Sequence, residues 1–249
     1  EIQERIAFLP YLTIESQSAQ EIKKKPILVI TGNPPYSISS TNKGSSILNL
    51  LNDYKEGLNE RKINIDDDYI KFIRFAHNKI MNAGEGIIAV ITNNSFLDGV
   101  THRKMREKLF NDFDIINILN LHGNSIKKEG DENVFDIRVG VAISIFVKLK
   151  KSLKNKKVFY TSTKELGINK REEKYNYLLN EGIERTRINP EKPYYWFVNS
   201  EFSKHTEYNN YLKITDIFDI YSVGIGTKVD NIAIDFNEER LKNRIKDIL

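Results

Sequence analysis

Pro26-Ile27-Leu28-Val29-Ile30-Thr31-Gly32-Asn33-Pro34-Pro35-Tyr36 is the stretch on which the reading of this chain turns. Its first six residues are an apolar, β-branched run that stops at Gly32, the pattern of a strand covered on both faces of a parallel sheet. Two consecutive prolines then fix their own φ angles and drive Asn33 and Pro34 out of the helical region. The chain therefore leaves the strand as a stiff loop carrying an amide, a carbonyl and an aromatic ring in fixed relation. In open α/β sheets ligands bind beyond the carboxyl ends of the strands, and this loop stands at such an end.

Outward from that loop the pattern alternates. Residues 37–66 are polar and rich in Ser and Asn, and read as a loop with one short helix from Ser46 to Tyr54. Asp66-Asp67-Asp68 supplies a helix N-terminus, where acidic side chains complement the unpaired amides. Ile70, Ile73, Phe75, Ala76 and Ile80 give an amphipathic helix from Tyr69 to Met81, closed by Asn82-Ala83-Gly84. A buried strand follows at Gly86 to Thr92, a helix with a basic face at Leu97 to Phe110, and a third strand at Ile115 to Leu121. Val139, Val141, Ile143, Ile145 and Val147 alternate with smaller or polar residues, giving a fourth strand whose faces differ. The sum is an α/β fold with a mostly parallel sheet and an antiparallel edge. The pattern weakens beyond Lys157, so residues 1–157 are expected as one region and 158–249 as a linker and the start of a second, mixed α/β domain. No internal repeat is visible.

The bulk numbers exclude more than they select. With 40% hydrophobic and 29% charged residues, the 249-residue chain is written like a soluble globular protein. No apolar run approaches the ~20 residues of a membrane span, and Glu1-Ile2-Gln3-Glu4-Arg5 does not open a signal peptide. A cytoplasmic location is expected. The absence of cysteine excludes disulfides and thiolate metal sites, and His77, His102, His122 and His205 show no ligand spacing, so no metal is expected. A net charge of +4 permits nucleic-acid binding without indicating it. Lys23-Lys24-Lys25, His102 to Lys108 and Lys148 to Lys157 are dense in positive charge; each is read first as a solvated surface.

The loop's three groups are those that methyl transfer to an aromatic amine requires. Such a nitrogen delocalises its lone pair into the ring and is a poor nucleophile. The Asn33 side-chain oxygen and the Pro34 carbonyl can accept its hydrogens, favour tetrahedral geometry, and stabilise the positive charge that develops. A base in a duplex must leave the stack to be reached, and Tyr36 offers a face worth roughly 1–3 kcal/mol to it. The bland reading is a turn that ends a strand, for which Asn-Pro alone would suffice.

At this point the chain resembles a known family. Asn33-Pro34-Pro35-Tyr36 is the catalytic motif of S-adenosylmethionine-dependent amino-methyltransferases of the N6-adenine DNA kind. The resemblance is closest to the methyltransferase region of type ISP single-polypeptide restriction-modification enzymes. It is carried by VITGNPPYS (29–37), DYIKFIRFA (68–76), GIIAVITNNSFLDG (86–99), LHGN (121–124), NVFDIRVGVAISIFVK (133–148) and GIGTKVD (224–230). It implies the C-terminal part of a Rossmann-like methyltransferase sheet, followed by the beginning of a target-recognition region. The cofactor would be S-adenosylmethionine. The partners would be double-stranded DNA and the remaining domains of a larger restriction-modification polypeptide, with no membrane.

Carried over by position, Asn33 and Pro34 would hold the amine, with Pro35 stiffening the loop and Tyr36 stacking on the flipped adenine. Phe135 matches the aromatic that supports the flipped base from its edge, although core packing at a strand start explains it equally well. Asp136 and Arg138 flank it without an assigned role, and Asp230, in the GIGTKVD segment, has none either. Asn93, Asn94 and Ser95 either line the cleft or form a turn. In one respect the chain departs from the family, whose glycine-rich cofactor loop precedes the tetrapeptide. The 32 residues before Asn33 contain no such loop, so no cofactor residue is assigned; either the chain is a fragment of a longer enzyme or some upstream sequence is not shown. Gly84-Glu85-Gly86 and Gly224-Ile225-Gly226 are too short to replace it.

Other readings stay open. Glutamine methyltransferases acting on release factors, and some RNA guanine methyltransferases, use the same tetrapeptide; the long 37–66 insertion and the residues after the last core strand count against them. A non-catalytic DNA-binding piece is the third reading. Tyr194-Tyr195-Trp196-Phe197 could stack bases but is expected to be core. The Lys148 to Lys157 run is read as a loop near phosphates or as a plain connection.

Overall fold

The computed structural model describes residues 10–36, 40–58, 65–124, 130–179, 182–199, 207–208, 210–212, 214–218 and 234–247. The chain divides into two units, Glu1–Ser200 and Glu201–Leu249. The first contains helix α1 (Pro10–Lys24), strand β1 (Val29–Gly32), helices α2 (Ser45–Lys55) and α3 (Asp68–Ala83), and strand β2 (Gly86–Asn93). Two short 3-10 turns lead into helix α4 (Arg103–Asp112), followed by β3 (Ile115–His122), β4 (Val141–Lys148), β5 (Lys157–Ser162), α5 (Arg171–Leu178) and β6 (Thr186–Ile188). The described residues of the second unit include the turn α6 (Ile214–Ile217) and helix α7 (Glu238–Lys246), whose N-terminus is capped by the Asn237 side chain on the Arg240 amide.

The six strands form one mixed sheet in the order β1-β2-β4-β3-β5-β6. β1 runs parallel to β2 and β3 parallel to β5, while β4 is antiparallel to both β2 and β3. The α/β class expected from the alternation is observed, and so is an antiparallel edge strand, β6. A second antiparallel strand, β4, lies in the middle, so the sheet is less parallel than expected. The alternation in 141–147 reflects its two different faces. Ala142, Ser144 and Phe146 are fully buried under the helices, and the intervening residues line the opposite face.

The sheet also runs past the division expected after 157, because β5 and β6 extend it and the first unit ends at Ser200. In β5, Val158 and Tyr160 point into the main core. Helix α1 has no counterpart among the elements expected from the sequence.

One face of the sheet carries the main core. Leu51 and Tyr54 of α2, Tyr69, Ile70, Ile73 and Ile80 of α3, Met105 and Leu109 of α4, and Ile88, Ile116 and Phe146 of the sheet are all at most 1% exposed. A buried Ile or Leu of this set truncated to Ala is expected to cost about 2–5 kcal/mol. Helix α3 ends as expected, with Gly84 in the left-handed conformation and its amide bonded to the Ile80 and Met81 carbonyls. The helix expected from Leu97 starts only at Arg103. The guanidinium of Arg106 reaches back and takes the Phe96 and Gly99 carbonyls at 2.7 and 2.8 Å, and the Gly99 carbonyl also closes a 3-10 turn with the His102 amide, so 97–102 forms short turns before the helix.

Candidate active site

Asn33-Pro34-Pro35-Tyr36 leaves the carboxyl end of β1 as its sequence requires. Pro34 is buried, Tyr36 half-buried, and Asn33 and Pro35 exposed. The Tyr36 hydroxyl lies 2.7 Å from Asn33 Oδ1 and 3.1 Å from the Ile91 carbonyl on β2, so its one proton bridges the loop to the neighbouring strand. Burial pushes the phenol up to about 12, which keeps it neutral and a donor at ordinary pH.

Phe135, from a distant part of the chain, shares a small core with Tyr36. Leu119, Leu121, Val134 and Val141 form a second, smaller core at the ends of β3 and β4, and both Tyr36 and Phe135 pack against it. The turn that delivers Phe135 begins at Gly123, where φ is +84° and a Cβ would stand 2.5 Å from the Asn133 Cα, so only glycine fits. Asn133 then closes the loop: its Nδ2 donates to the Gly123 and Val139 carbonyls at 2.9 and 2.7 Å, and its Oδ1 accepts from the Phe135 amide at 2.9 Å. Asp136 is exposed and pairs with Arg171 at 2.8 Å. Arg138 lines a recess with Asn124, Phe135 and Arg171.

Asn93, Asn94 and Ser95 end β2 on the same sheet edge and form a turn, one of the two readings the sequence left open. Asn93 Oδ1 caps a 3-10 turn by accepting from the Ser95 amide at 2.9 Å. Asn94 Nδ2 donates to Asn120 Oδ1 at 3.0 Å, and His122 pairs with Ser162 at 2.8 Å. All three, with Asp98, Asn120, His122 and Lys164, line a polar recess of about 330 Å³. Sequence reasoning assigns no role to Asn120, His122 or Asn133. Asn120 and His122 bond to partners 26 to 40 residues away, and Asn133 to main-chain groups of its own loop, so each reads locally as nothing more than a turn residue.

The basic runs resolve in different ways. Lys148 and Lys156 converge on Asp114, a fully buried carboxylate at 3.8 and 2.9 Å from them. Burial acts to raise that carboxyl, but the Leu149 and Leu153 amides and Lys156 outweigh it and hold it below the ordinary range. Because Lys148 pairs with Gly86 at the start of β2, this run occupies the opposite edge of the sheet from Asn33. In the 102–108 run Arg106 is buried, and Lys104 and Lys108 pair with Glu107 and Asp112. Tyr195 and Phe197 are core, as expected, whereas Tyr194 and Trp196 are half-buried and stack with ring centroids 5.0 Å apart. GIGTKVD, including Gly224, Gly226 and Asp230, lies outside the described residues, as do 37–39 and 125–129.

No cofactor-binding residue is identified among the described residues. No glycine-rich turn precedes β1 among them, and on β1's outer side Leu28 and Val29 stand 48% and 63% exposed. None of the tetrapeptide residues lines either polar recess among the described residues. No group of three metal-ligating side chains and no helix long and apolar enough to cross a membrane is found among the described residues.

Residues 11–126 match the family described as Eco57I restriction-modification methylase. Among solved structures, a nuclease-deletion mutant of the type ISP restriction-modification enzyme LlaGI, in complex with a DNA substrate mimic, superposes with a TM-score of 0.75 at 23% identity, over 95% of this chain and 24% of that one. The DrdV–DNA complex gives 0.74 at 26% identity, over 96% and 26% of the two chains. The ATP-dependent type ISP enzyme LlaBIII bound to DNA gives 0.62 at 28% identity, over 78% and 14%. The chain thus spans about a quarter of the length of the first two. No curated protein matches it. The expected similarity to restriction-modification methylases, type ISP enzymes among them, is therefore found, and with it the mixed α/β sheet.

Proposed function

We propose that this chain carries the base-holding part of an S-adenosylmethionine-dependent N6-adenine DNA methyltransferase within a larger restriction-modification enzyme. The observation that carries the proposal is the stiff Asn33-Pro34-Pro35-Tyr36 loop at the carboxyl end of β1, tied by the Tyr36 hydroxyl to Asn33 and to β2. Phe135, from a segment about a hundred residues away, supports it by packing on the same small core as Tyr36. The family match to a restriction-modification methylase points to the same chemistry.

In this reading Asn33 Oδ1 and the Pro34 carbonyl accept the two hydrogens of the exocyclic amine, which localises its lone pair and stabilises the charge that develops on nitrogen. Tyr36 stacks on the flipped adenine, and Phe135 supports its edge. Residues beyond those described complete the cofactor pocket, and duplex DNA is the partner. A non-catalytic DNA-binding role is the second reading, favoured because no cofactor-binding residue is identified among those described.

Base-resolution mapping of N6-methyladenine in cells expressing the complete gene, beside an Asn33→Ala version, separates the two. Methylation at one sequence motif that vanishes with the substitution is the expected result. Two unmethylated genomes would leave the non-catalytic reading standing.

A further inference from the structure

Helix α5 lies beyond the strands that carry the tetrapeptide and the second aromatic, yet its side chains close on the loop that holds Phe135. Four consecutive backbone carbonyls of that loop are taken by three residues of one helical stripe. Lys174 Nζ donates to the Glu132 carbonyl at 2.6 Å, Arg171 Nε to Asn133 at 2.7 Å, the Tyr175 hydroxyl to Val134 at 2.5 Å, and Arg171 Nη2 to Phe135 at 3.4 Å. Positions 171, 174 and 175 share a helix face by their spacing. Lys174 is fully buried, and its charge is met by Asp131, 2.6 Å away and 2% exposed at the side chain. The other Asp131 oxygen accepts from the Gly123 amide at 2.5 Å, at the start of the same turn. Glu132 in turn accepts from the Arg171 amide and from Lys170, both at 3.0 Å, so the loop also caps the helix that grips it.

A buried ion pair is an expensive way to hold a loop if stability alone is needed, since well-packed apolar residues serve as well or better. Its directional contacts do something apolar packing does not: they fix the path of four successive peptide units. We propose that Lys174 is a positioning residue, which through Asp131 and the Glu132 carbonyl anchors the loop that Arg171 and Tyr175 hold at 133–135, and so sets the Phe135 ring where it supports the flipped adenine. The proposal rests on the base-holding function proposed above. Helix α5 thereby belongs to the working parts of the methyltransferase and not to a linker.

The test compares the complete enzyme with Lys174→Met and with the double variant Lys174→Met/Asp131→Leu, which removes both buried charges and is expected to fold even where the single variant does not. The duplex carries the sequence identified by methylation mapping, with 2-aminopurine at the target adenine for the fluorescence readout. Duplex affinity should stay within about twofold, because phosphate contacts set it. The flipped-base fluorescence and the single-turnover methylation rate should both fall by at least about tenfold, with the KM for DNA little changed. A loss confined to the active fraction, with rate and fluorescence intact, would reduce Lys174 to a stability element and overturn the proposal. If the unsubstituted enzyme neither flips nor methylates the base, the functional reading itself falls and takes the clamp's role with it. An enzyme silenced by Asn33→Ala but indifferent to the double variant keeps its function and loses only the clamp.

Discussion

The Tyr36 hydroxyl donates to Asn33 Oδ1 at 2.7 Å, so the residue proposed to stack on the base also orients the amide proposed to hold its amine. Tyr36→Phe removes that bond and keeps the ring. A hydrogen bond of net value about 0.5–1.5 kcal/mol predicts a loss of about 2- to 12-fold in single-turnover methylation. Tyr36→Ala also removes the stacking face and should cost a further ~1–3 kcal/mol. Equal impairment in the two variants would place the function in the hydroxyl and not in the ring. With the phenol pushed up to about 12, no Tyr36 ionisation should appear in the rate profile between about pH 7 and 10.

Asn33 is exposed and outside both cores, so its loss should leave folding intact. Asn33→Ala should lower kcat by about 10²–10³, the scale of one lost preorganised group that stabilises transition-state charge, with duplex affinity retained. Parallel kinetics and DNA titration check this; a matching loss of affinity would mean that Asn33 binds DNA and takes no part in transfer.

His77 is fully buried between Tyr54 and Asp112, each 3.0 Å from a ring nitrogen. Burial is the larger influence and lowers its pKa, against the opposing pull of the Asp112 hydrogen bond, while Arg74 and Lys108 add to the lowering. The ring is therefore neutral in the folded protein, taking the Tyr54 proton at Nδ1 and donating from Nε2 to Asp112. The unfolded chain takes up a proton near pH 6.5 that the folded chain refuses, so stability falls as pH drops below about 6.5, until the folded pKa is passed. Urea midpoints at pH 7.5 and 5.5 should show a smaller difference in His77→Gln than in the parent. An unchanged difference would move the acid sensitivity to other groups.

Arg106 holds four carbonyls at once: Phe96, Gly99, Tyr194 and Tyr195, all within 3.0 Å. Arg106→Met keeps the side chain's length but strands those acceptors, at an expected cost of at least about 3 kcal/mol. Urea unfolding measures it, and a loss below about 1 kcal/mol would mean that water replaces the guanidinium.

Lys150, Lys151 and Lys154 are exposed, in the run placed on the far edge of the sheet from Asn33. Replacing all three with Gln should leave the salt dependence of duplex binding unchanged, because its slope counts contacted phosphates. A slope reduced by about one per lysine would put DNA on that edge after all.

The elements legible in the sequence were those whose own residues suffice to make them. The apolar run at 26–31, the spacing of Ile70, Ile73 and Ile80, and Gly84 each announce a strand, a helix or a stop by local chemistry. The Asn33–Tyr36 loop was legible for the same reason, since two prolines dictate their neighbours' geometry. What escaped was set by partners distant along the chain. The alternation in 141–147 says that two faces differ but not which strands flank it, so an antiparallel strand in the middle of the sheet was not foreseen. Lys174 and Asp131 read as ordinary surface charges until the fold buries them against each other. The basic helix expected from Leu97 concealed Arg106, a cation spent on carbonyls and not on solvent or phosphate.

The insertion of β4 between β2 and β3 also governs the order in which the sheet can be assembled. As the chain emerges from the ribosome, β1 and β2 can pair, but β3 has no bonded neighbour among the earlier strands and must wait. Synthesis of 141–148 supplies the strand that bonds to both at once, and only then are the two halves of the sheet one object. Such late, non-local pairing makes folding slow and leaves open strand edges exposed in the interval. The Phe135 loop is translated immediately before this bridging strand, so the ring proposed to support the base takes its place in the same event that joins the sheet.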